Sequence, residues 1–382
     1  MVNNQEPIRI AQIIGKWVGG GVESVVMNYY RYIDRSKIQF DFICDEDSTN
    51  IPYEEINSLG GKVILIPPYQ KLFKYQSNLK KVLREGNYKI VHSHINALSV
   101  FPLRVAKKAD VAIRIAHSHS TTNKKEWKKN ILKNILRPFS KLYATDYFCC
   151  TEHAGRWLFG NKKFEKGDVY VLNNAINIEK FKFNEKVRNK KRVELGIDSD
   201  TVVIGHIGRF VEQKNHKFLI DLFSKFHNVN KNSKLVLIGQ GPLEKEIREK
   251  VNLLNITDDV IFLGQINNVE ELYQVFDIFI FPSLYEGLGM VLIEAQASGC
   301  SCVVSSEVPK IAQVTELVRF CDLDDSLDVW EKNITETLES NSKERVLYNE
   351  ILEKSGYNIR AENKKIEEYY LKRLEEENIW KY

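Results

Sequence analysis

Two glutamates stand eight positions apart in the stretch FPSLYEGLGMVLIEAQASGC, residues 281–300. The proline and glycines at its start predict a loop over 282–289, followed by a helix over about 290–297. Glu286 then precedes the helix, and Glu294 lies about one turn inside it. A carboxylate can accept two hydroxyl hydrogen bonds, as a sugar or a ribose offers. The alternative interpretation is one helix-capping glutamate and one solvated glutamate.

Backbone amides fill the space between these two carboxylates. N–H groups near the first turn of a helix have no partner within the helix, and they lie at its positive end. Four residues supply them: Gly287, Leu288, Gly289 and Met290. The segment is therefore suited to an anionic, polyhydroxylated ligand, with a carboxylate at either end and a cluster of donors between.

Two cations occupy another loop, in the stretch HIGRFVEQKNH that begins at residue 206. Arg209 can place its planar fork on two phosphate oxygens, while Lys214 supplies a compact positive charge. Both side chains could converge on one oxyanion. Taken alone, the same pair is equally well explained as solvated surface.

A glycine-rich loop, GKWVGGGVESVV, follows the first apolar run. Gly20 and Gly21 let the backbone approach a ligand closely, and a helix beginning near Glu23 would point free N–H groups at it. A plain glycine turn is the alternative. The G-x-G-x-x-G dinucleotide fingerprint is absent, which argues against a nicotinamide-dependent oxidoreductase.

Short apolar runs, each followed by a turn and an amphipathic segment, must position these loops. Near-continuous Val, Ile, Leu and Phe runs are typical of parallel strands covered by helices on both faces. The runs lie at residues 8–14, 40–44, 62–66, 88–93, 111–116, 147–150, 169–172, 202–208, 234–239, 260–264, 278–282 and 301–305. The pattern predicts two doubly wound α/β domains, with ligands beyond the carboxyl ends of the strands.

The domain boundary is predicted near the polar stretch that begins at residue 173. We expect an N-terminal Rossmann-like domain over 1–178 that binds the acceptor substrate and a C-terminal Rossmann-like domain over 179–357 that binds the donor. The charged segment 358–382 is strongly helical by propensity. It is expected to join the first domain.

Three motifs in this order resemble those of the retaining nucleotide-sugar glycosyltransferases of family 4. They are G-R-F-x-x-x-K at 208–214, G-Q-G-P at 239–242 and E-G-L-G-x-x-x-x-E at 286–294. The resemblance covers nearly the whole chain. It implies a GT-B architecture with an interdomain cleft, a nucleotide-sugar donor, and neither a cofactor nor a metal.

The resemblance also implies a role for each motif residue. Arg209 and Lys214 would bind the nucleotide diphosphate, and Glu294 would hold the ribose hydroxyls. Glu286, with the backbone after it, would hold the transferred sugar. His117 matches the histidine that this family places beside the reacting sugar.

The histidine assignment has a neighbouring alternative, because His119 follows two positions after His117. His92 and His94, after the fourth apolar run, are weaker candidates. The four remaining histidines are interpreted as structural or surface residues: His153, His206, His216 and His227.

A metal-dependent rival rests on Asp45 and Asp47, which spell the D-x-D pattern of single-domain glycosyltransferases. Two further D-x-D triplets occur in the chain, so the pattern carries little information. Two other functions stay open on the same architecture: a nucleotide-sugar epimerase, and a non-catalytic partner in glycan assembly. The expected donor is a UDP-sugar rather than a GDP-sugar.

Charge is divided unevenly between the two halves. Residues 1–178 hold 27 Lys and Arg against 16 Asp and Glu, a balance of +11, while the remainder carries −7. Segment 123–143 sets apolar residues on one helical stripe and lysines largely elsewhere. It predicts either a core-facing helix or an interfacial helix on an anionic membrane.

The resemblance favours the membrane, because relatives that build capsule, exopolysaccharide or lipopolysaccharide use lipid-linked acceptors. No motif supports nucleic-acid binding. The N-terminal residues do not read as a secretion signal. We therefore expect a cytoplasmic protein that is peripheral on the inner face of the cell membrane.

Overall fold

The computed structural model describes residues 6–119, 127–266, 268–340, 345 and 348–379. The chain divides into two compact units. Unit 1 comprises Met1–Ala175 and Asn358–Tyr382, and unit 2 comprises Ile176–Tyr357. The division after residue 175 lies three residues before the predicted boundary.

Unit 1 is built on a seven-stranded sheet in which every recorded pair of neighbours is parallel. Its strands are β1 Ile8–Gly15, β2 Ile38–Asp45, β3 Lys62–Ile66, β4 Ile90–Ser93, β5 Ile113–Ser118, β6 Asp146–Cys149 and β7 Val169–Val171. Their spatial order is β3-β2-β1-β4-β5-β6-β7. All seven strands fall on apolar runs of the sequence.

Unit 2 is built on a six-stranded parallel sheet. Its strands are β8 Val202–Ile207, β9 Ser233–Ile238, β10 Val260–Gly264, β11 Ile278–Phe281, β12 Ser301–Ser305 and β13 Val318–Cys321. Their spatial order is β10-β9-β8-β11-β12-β13. The last strand was not predicted, because Arg319 interrupts its short apolar run.

Helical segments connect successive strands in both units, as parallel strands require, and three further helices follow the last strand. They are α1 Gly21–Tyr32, α2 Tyr53–Ser58, α3 Leu72–Glu85, α4 Val100–Lys108, α5 Trp127–Leu136, α6 Glu152–Phe159, α7 Asn161–Glu165, α8 Ile178–Phe181, α9 Glu185–Glu194, α10 His216–Val229, α11 Glu244–Leu253, α12 Val269–Tyr273, α13 Met290–Ala297, α14 Leu327–Ser340, α15 Asn349–Lys354 and α16 Ile359–Glu376. Short 3₁₀ helices cover Asn96–Ser99, Arg137–Lys141, Glu212–Lys214, Thr257–Asp259 and Lys310–Ala312.

The strands are continuous apolar runs because they lie in the hydrophobic cores of the two units. Every residue of β2 is buried, because helices cover the sheet on both faces. The C-terminal helix α16 belongs to unit 1 and buries Ile366, Tyr370 and Leu374 in the same core as α1. Its Arg373 Nε also donates to Asp146 Oδ1 at 2.7 Å. The predicted α/β class with two doubly wound parallel sheets is confirmed.

Each sheet reverses its strand order at one point, between β1 and β4 in unit 1 and between β8 and β11 in unit 2. Loops that leave neighbouring strands in opposite directions open a crevice there, which is where open α/β sheets bind ligands. Among the described residues, none of the helices has the length and apolar character needed to cross a bilayer.

Candidate functional site

The loops after β8, β9 and β11 are joined by hydrogen bonds at the switch point of unit 2. The Phe210 N–H donates to the Gln240 carbonyl at 3.0 Å, which joins the first loop to the second. The Leu284 N–H donates to the Gln213 carbonyl at 2.8 Å, which joins the first loop to the third. The three motif segments of the sequence therefore form one continuous surface.

Close backbone approach explains the glycines of the G-Q-G-P motif. A Cβ at Gly239 would lie 2.1 Å from the Gly208 carbonyl oxygen, and one at Gly241 would lie 2.4 Å from the Phe210 carbonyl oxygen. Real Cβ atoms do not approach backbone so closely, so larger residues would separate the first two loops. The motif serves to shape this surface.

Lys214 and Glu286 form an ion pair at the centre of this surface. Lys214 Nζ lies 2.7 Å from Glu286 Oε1, with 15% and 7% of the two side chains exposed. Nζ also lies 4.7 Å from the centroid of the Phe281 ring, a favourable position for a cation. Lys214 and Glu286, two residues predicted to hold one ligand, are thus in contact within unit 2.

Arg209 lies on the same loop and is exposed. In the part of the chain that the structure describes, its side chain has no recorded hydrogen bond or ion pair. One paired and one unpaired cation therefore follow β8. An anionic group could recruit Arg209 without breaking an existing contact.

The loop 282–289 and helix α13 have the predicted bounds, with Met290–Ala297 as the helix. Gly289 caps the helix at a φ of +84°, and a Cβ there would lie 3.0 Å from the Phe281 ring. Within the described residues, no hydrogen bond is recorded from the N–H groups of Gly287, Leu288 or Gly289. These groups are three of the four predicted donors, and the fourth, Met290, is the first residue of α13.

Glu294 lies one turn inside α13 and is held by Tyr273 from α12. The Tyr273 hydroxyl donates to Glu294 Oε2 at 2.8 Å. Burial raises the pKa of Glu294 to about 7, against a smaller opposing effect of the Tyr273 hydrogen bond. The sequence analysis missed Tyr273, because a tyrosine 21 positions earlier gives no pattern that links it to the glutamate.

In unit 1, four histidines lie together at the carboxyl ends of β4 and β5. The sequence His-Ser-His occurs at both strand ends and places His92, His94, His117 and His119 on one face of the sheet. All four are buried, and the rings of His117 and His119 stack with centroids 3.9 Å apart. We call this group the four-histidine cluster.

Hydrogen bonds pair the rings of the cluster across the two strands. His92 Nε2 lies 3.0 Å from His117 Nδ1, and His94 Nδ1 lies 2.9 Å from His119 Nε2. Burial lowers the pKa of each ring, that of His119 to about 3. All four imidazoles are therefore neutral near pH 7.

Three of these rings are close enough together to hold one metal ion, since ligand atoms of His92, His94 and His117 lie within 4.8 Å of one another. The facing nitrogens already bond in pairs, however. Among described residues, only other histidines act electrostatically on the three rings. A dication buried without a neutralising carboxylate is costly, so hydrogen bonding explains the arrangement better.

The glycine loop after β1 has a carboxylate beside it. Helix α1 begins at Gly21, and the Val18 N–H donates to Glu23 Oε1 at 3.0 Å. A Cβ at Gly20 would lie 3.0 Å from the second oxygen of the same carboxylate. Gly20 and Gly21 therefore border a helix end that already has a negative charge, which makes it less favourable for an anion.

Two family models divide the chain between them. Residues 187–351 match the model described as Glycosyl transferases group 1, and residues 19–180 match Glycosyltransferase Family 4. The putative glycosyltransferase EpsF of Bacillus subtilis (strain 168) is 35% identical over 360 residues, which is 93% of this chain and 94% of EpsF. The chain belongs to glycosyltransferase family 4.

More distant proteins are similar over the same length. A protein of Escherichia coli, named UDP-Gal:alpha-D-GlcNAc-diphosphoundecaprenol alpha-1,3-galactosyltransferase, is 22% identical over 97% of this chain and 98% of its own. The crystal structure of Anabaena Alr3699/HepE in complex with UDP and glucose has a TM-score of 0.78 at 17% identity, covering 95% of this chain and 99% of that one. This likeness confirms the GT-B fold class.

The D-x-D residues of this family 4 glycosyltransferase, Asp45 and Asp47, both interact with Lys16. Lys16 Nζ lies 2.7 Å from Asp47 Oδ2. Asp45 is buried, which raises its pKa to about 6. Among the described residues, neither aspartate belongs to a group of three potential metal ligands.

The histidines interpreted as structural have packing roles where they are buried. His206 Nδ1 bonds the Ile280 carbonyl at 2.8 Å, and the His216 ring stacks on Phe210. His227 Nδ1 bonds Ser233 Oγ at 3.0 Å. His153 is exposed on α6.

The predicted amphipathic segment 123–143 is described only in part. Residues 123–126 lie outside the described residues, and helix α5 covers Trp127–Leu136. In the predicted stripe, Ile131 and Ile135 are 51% and 58% exposed, whereas Leu136 packs against the core of unit 1. After the helix, Phe139 and Leu142 are 50% and 59% exposed. The described part of the stripe is therefore divided between the core and the surface.

Proposed function

We propose that this family 4 glycosyltransferase moves a sugar, with retention of configuration, from a UDP-sugar to a hydroxyl of a lipid-linked glycan in polysaccharide biosynthesis. The observation that carries the proposal is the part-buried Lys214–Glu286 pair at the switch point of unit 2. Exposed Arg209 and the amides of 287–289 lie on the loops that carry this pair, and they would supply the other contacts to a nucleotide-diphosphate sugar.

The diphosphate would bind between Arg209, Lys214 and the amides of 287–289. Arg209 is exposed and can rotate onto the phosphates, while Lys214 is held in place by Glu286 at 2.7 Å. Glu294 would accept the ribose hydroxyls on one side, and Glu286 would accept sugar hydroxyls on the other. Preorganised donors aimed at developing negative charge contribute about 3–4 kcal/mol each in comparable oxyanion sites.

The reaction would proceed on one face of the sugar. The acceptor oxygen forms a bond to the anomeric carbon as the bond from that carbon to the diphosphate oxygen breaks. The bonding electron pair leaves with the diphosphate, which also takes the acceptor proton. Glu286 orients the sugar in this scheme, and no metal is needed because the cations and amides already neutralise the leaving group.

His117 would lie beside the sugar that develops positive charge. Its burial keeps the imidazole neutral, and a neutral ring does not oppose that charge as an imidazolium would. Gly20 and Gly21 would contact an uncharged part of the nucleotide-sugar, because the Glu23 carboxylate adjoins them. They suit a neutral hydroxyl better than a phosphate.

The donor and acceptor classes rest on similar proteins. The name of the Escherichia coli relative specifies UDP-galactose and a diphosphoundecaprenol-linked acceptor, and the HepE crystal contains UDP and glucose. Half-exposed apolar residues follow β5. They lie in the half of the chain that has a formal net charge of +11, which suits the surface of an anionic membrane. A peripheral position on the inner face of the membrane would bring a lipid-linked acceptor to unit 1.

A transfer assay tests the proposal. The full-length protein is incubated with radiolabelled UDP- and GDP-sugars and extracted lipid-linked oligosaccharides, with and without EDTA. We expect one UDP-sugar to label the lipid phase regardless of EDTA, and Lys214→Ala to lower the rate at least about tenfold. Lys217→Ala is the matched control, because Lys217 lies three positions along and pairs with Glu246.

Three outcomes contradict the proposal. Conversion of the donor into an isomer without acceptor would identify a nucleotide-sugar epimerase instead. An unchanged transfer rate in Lys214→Ala would show that this site takes no part in the reaction. Anomeric configuration is read from the product by proton NMR, and inversion would refute the retaining mechanism.

A further inference from the structure

The four-histidine cluster ends in two side chains that are distant in sequence. Gln12 lies in β1 and Tyr370 lies in α16, and each is 1% exposed. Both contact the cluster through a single ring nitrogen, Gln12 at His94 and Tyr370 at His92. A cavity of about 10 Å³, the size of one water-sized sphere, is lined by both residues and all four rings.

The Gln12 contact determines the protons along one pair of rings. His94 Nε2 lies 2.7 Å from Gln12 Oε1, and with the amide in this orientation its oxygen only accepts, so Nε2 has the proton. Nδ1 of the neutral His94 ring is then unprotonated, and it accepts a hydrogen bond from His119 Nε2 at 2.9 Å. His119 is consequently bare at Nδ1.

The Tyr370 contact determines the protons along the other pair. Its hydroxyl lies 2.7 Å from His92 Nδ1, and the Gln12 side chain acts as a hydrogen-bond donor to the same oxygen, which leaves the hydroxyl proton for His92. With Tyr370 as donor, Nδ1 of His92 is unprotonated. His92 then donates from Nε2 to His117 Nδ1 at 3.0 Å. His117 consequently has its proton on Nε2.

The free ends of the two pairs differ in character. His117 Nε2 and His119 Nδ1 are buried and have no hydrogen-bond partner in the part of the chain that the structure describes. One is an N–H donor and the other a bare acceptor, on stacked rings at the ligand-binding edge of the sheet. A hydroxyl group, which both donates and accepts, is the chemical complement of this pair.

We propose that Gln12 and Tyr370 are positioning residues that fix the tautomers of the cluster, so that His117 donates from Nε2 and His119 accepts at Nδ1. The consequence for catalysis rests on the proposed function. A donor of fixed direction beside the sugar would orient a hydroxyl, and random tautomers would do so only part of the time.

Nitrogen-15 NMR of the histidine-labelled full-length protein tests the tautomers directly. Protonated and bare ring nitrogens resonate at well-separated frequencies, and the chain has only eight histidines to assign. We expect all four cluster rings to hold a single proton on Nε2. A proton on Nδ1 of His117 or His119 would overturn the proposal.

Two variants remove the two contacts in turn. Tyr370→Phe is expected to give mixed tautomers at His92 and His117, and Gln12→Met to do so at His94 and His119. Tyr369→Phe is the matched control, because its hydroxyl donates to Asp146 at 2.6 Å from the same helix. Either of the first two variants with unchanged tautomers would overturn the proposal, and two independent variants guard against one that does not fold.

Steady-state kinetics separate this inference from the proposed function. Tyr370→Phe should lower kcat about tenfold, as for one lost hydrogen bond, and leave the KM for the UDP-sugar unchanged. Altered tautomers with an unchanged kcat would overturn the catalytic role of the cluster while leaving the donor site intact. A wild-type protein with fixed tautomers and no transferase activity would instead overturn the proposed function.

Discussion

Replacing Glu294 with glutamine is predicted to stabilise the ligand-free protein while weakening donor binding. Burial raises the pKa of the Glu294 carboxyl from 4.5 to about 7 in the folded chain. An acid whose pKa is raised by folding destabilises the folded state as pH rises above its unfolded value, and the cost is complete above the folded value. Glutamine keeps the shape and never ionises.

The magnitude follows from that shift. Each pKa unit corresponds to about 1.4 kcal/mol, so Glu294→Gln should raise the free energy of unfolding by at most about 3 kcal/mol above pH 7. Partial exposure of Glu294 makes the measured gain smaller. Tyr273 can still donate to the amide oxygen, so the packing is retained.

Thermal unfolding at several pH values between 4.5 and 8 measures this effect. The melting temperature of the variant should exceed that of wild type by several degrees at pH 8, at roughly 2–4 °C per kcal/mol for a unit of this size. The difference should shrink to about zero near pH 4.5. Glu307→Gln, at an exposed glutamate, is the control. A gain that is absent, or that does not vary with pH, would refute the reasoning.

Three further outcomes are expected from the same geometry. Gly241→Ala should cost about 1–3 kcal/mol of stability in urea unfolding, because its Cβ would meet the Phe210 carbonyl; unaltered stability would show that the loops can separate freely. The affinity for UDP should fall as pH drops below 7, because protonated Glu294 accepts fewer hydroxyl hydrogen bonds; calorimetry between pH 6 and 8 would detect it, and a flat profile would argue against ribose contact. Asp45→Asn with Asp47→Asn should leave the transfer rate in EDTA unchanged, whereas abolished activity would restore the metal-dependent alternative.

Much of the candidate site in unit 2 could be predicted from the sequence, because its members lie in short motifs directly after strands. Lys214 follows β8 and Glu286 follows β11, and the doubly wound order makes those strands neighbours at the switch point. Loop and helix bounds around Glu286 follow from proline and glycine positions. These features depend on local chemistry and a general topological rule.

Contacts between distant segments could not be predicted in the same way. Tyr370 lies 278 positions from His92, and nothing in its helix pattern distinguishes it from Tyr369, which bonds Asp146 instead. The two His-Ser-His motifs were visible, but the pairing of their rings depends on side-chain directions in the folded sheet. Glu23 likewise was taken as a helix start, and its return to the Val18 N–H depends on the shape of the loop.

The central claim is that Arg209 and Lys214 hold the diphosphate of the donor in unit 2. Calorimetric titration of UDP into the full-length wild-type, Arg209→Ala, Lys214→Ala and Lys217→Ala proteins tests it most directly. Loss of one charge-assisted hydrogen bond should weaken binding at least about tenfold in the first two variants, with Lys217→Ala equal to wild type. Equal affinities in all four proteins would contradict the account.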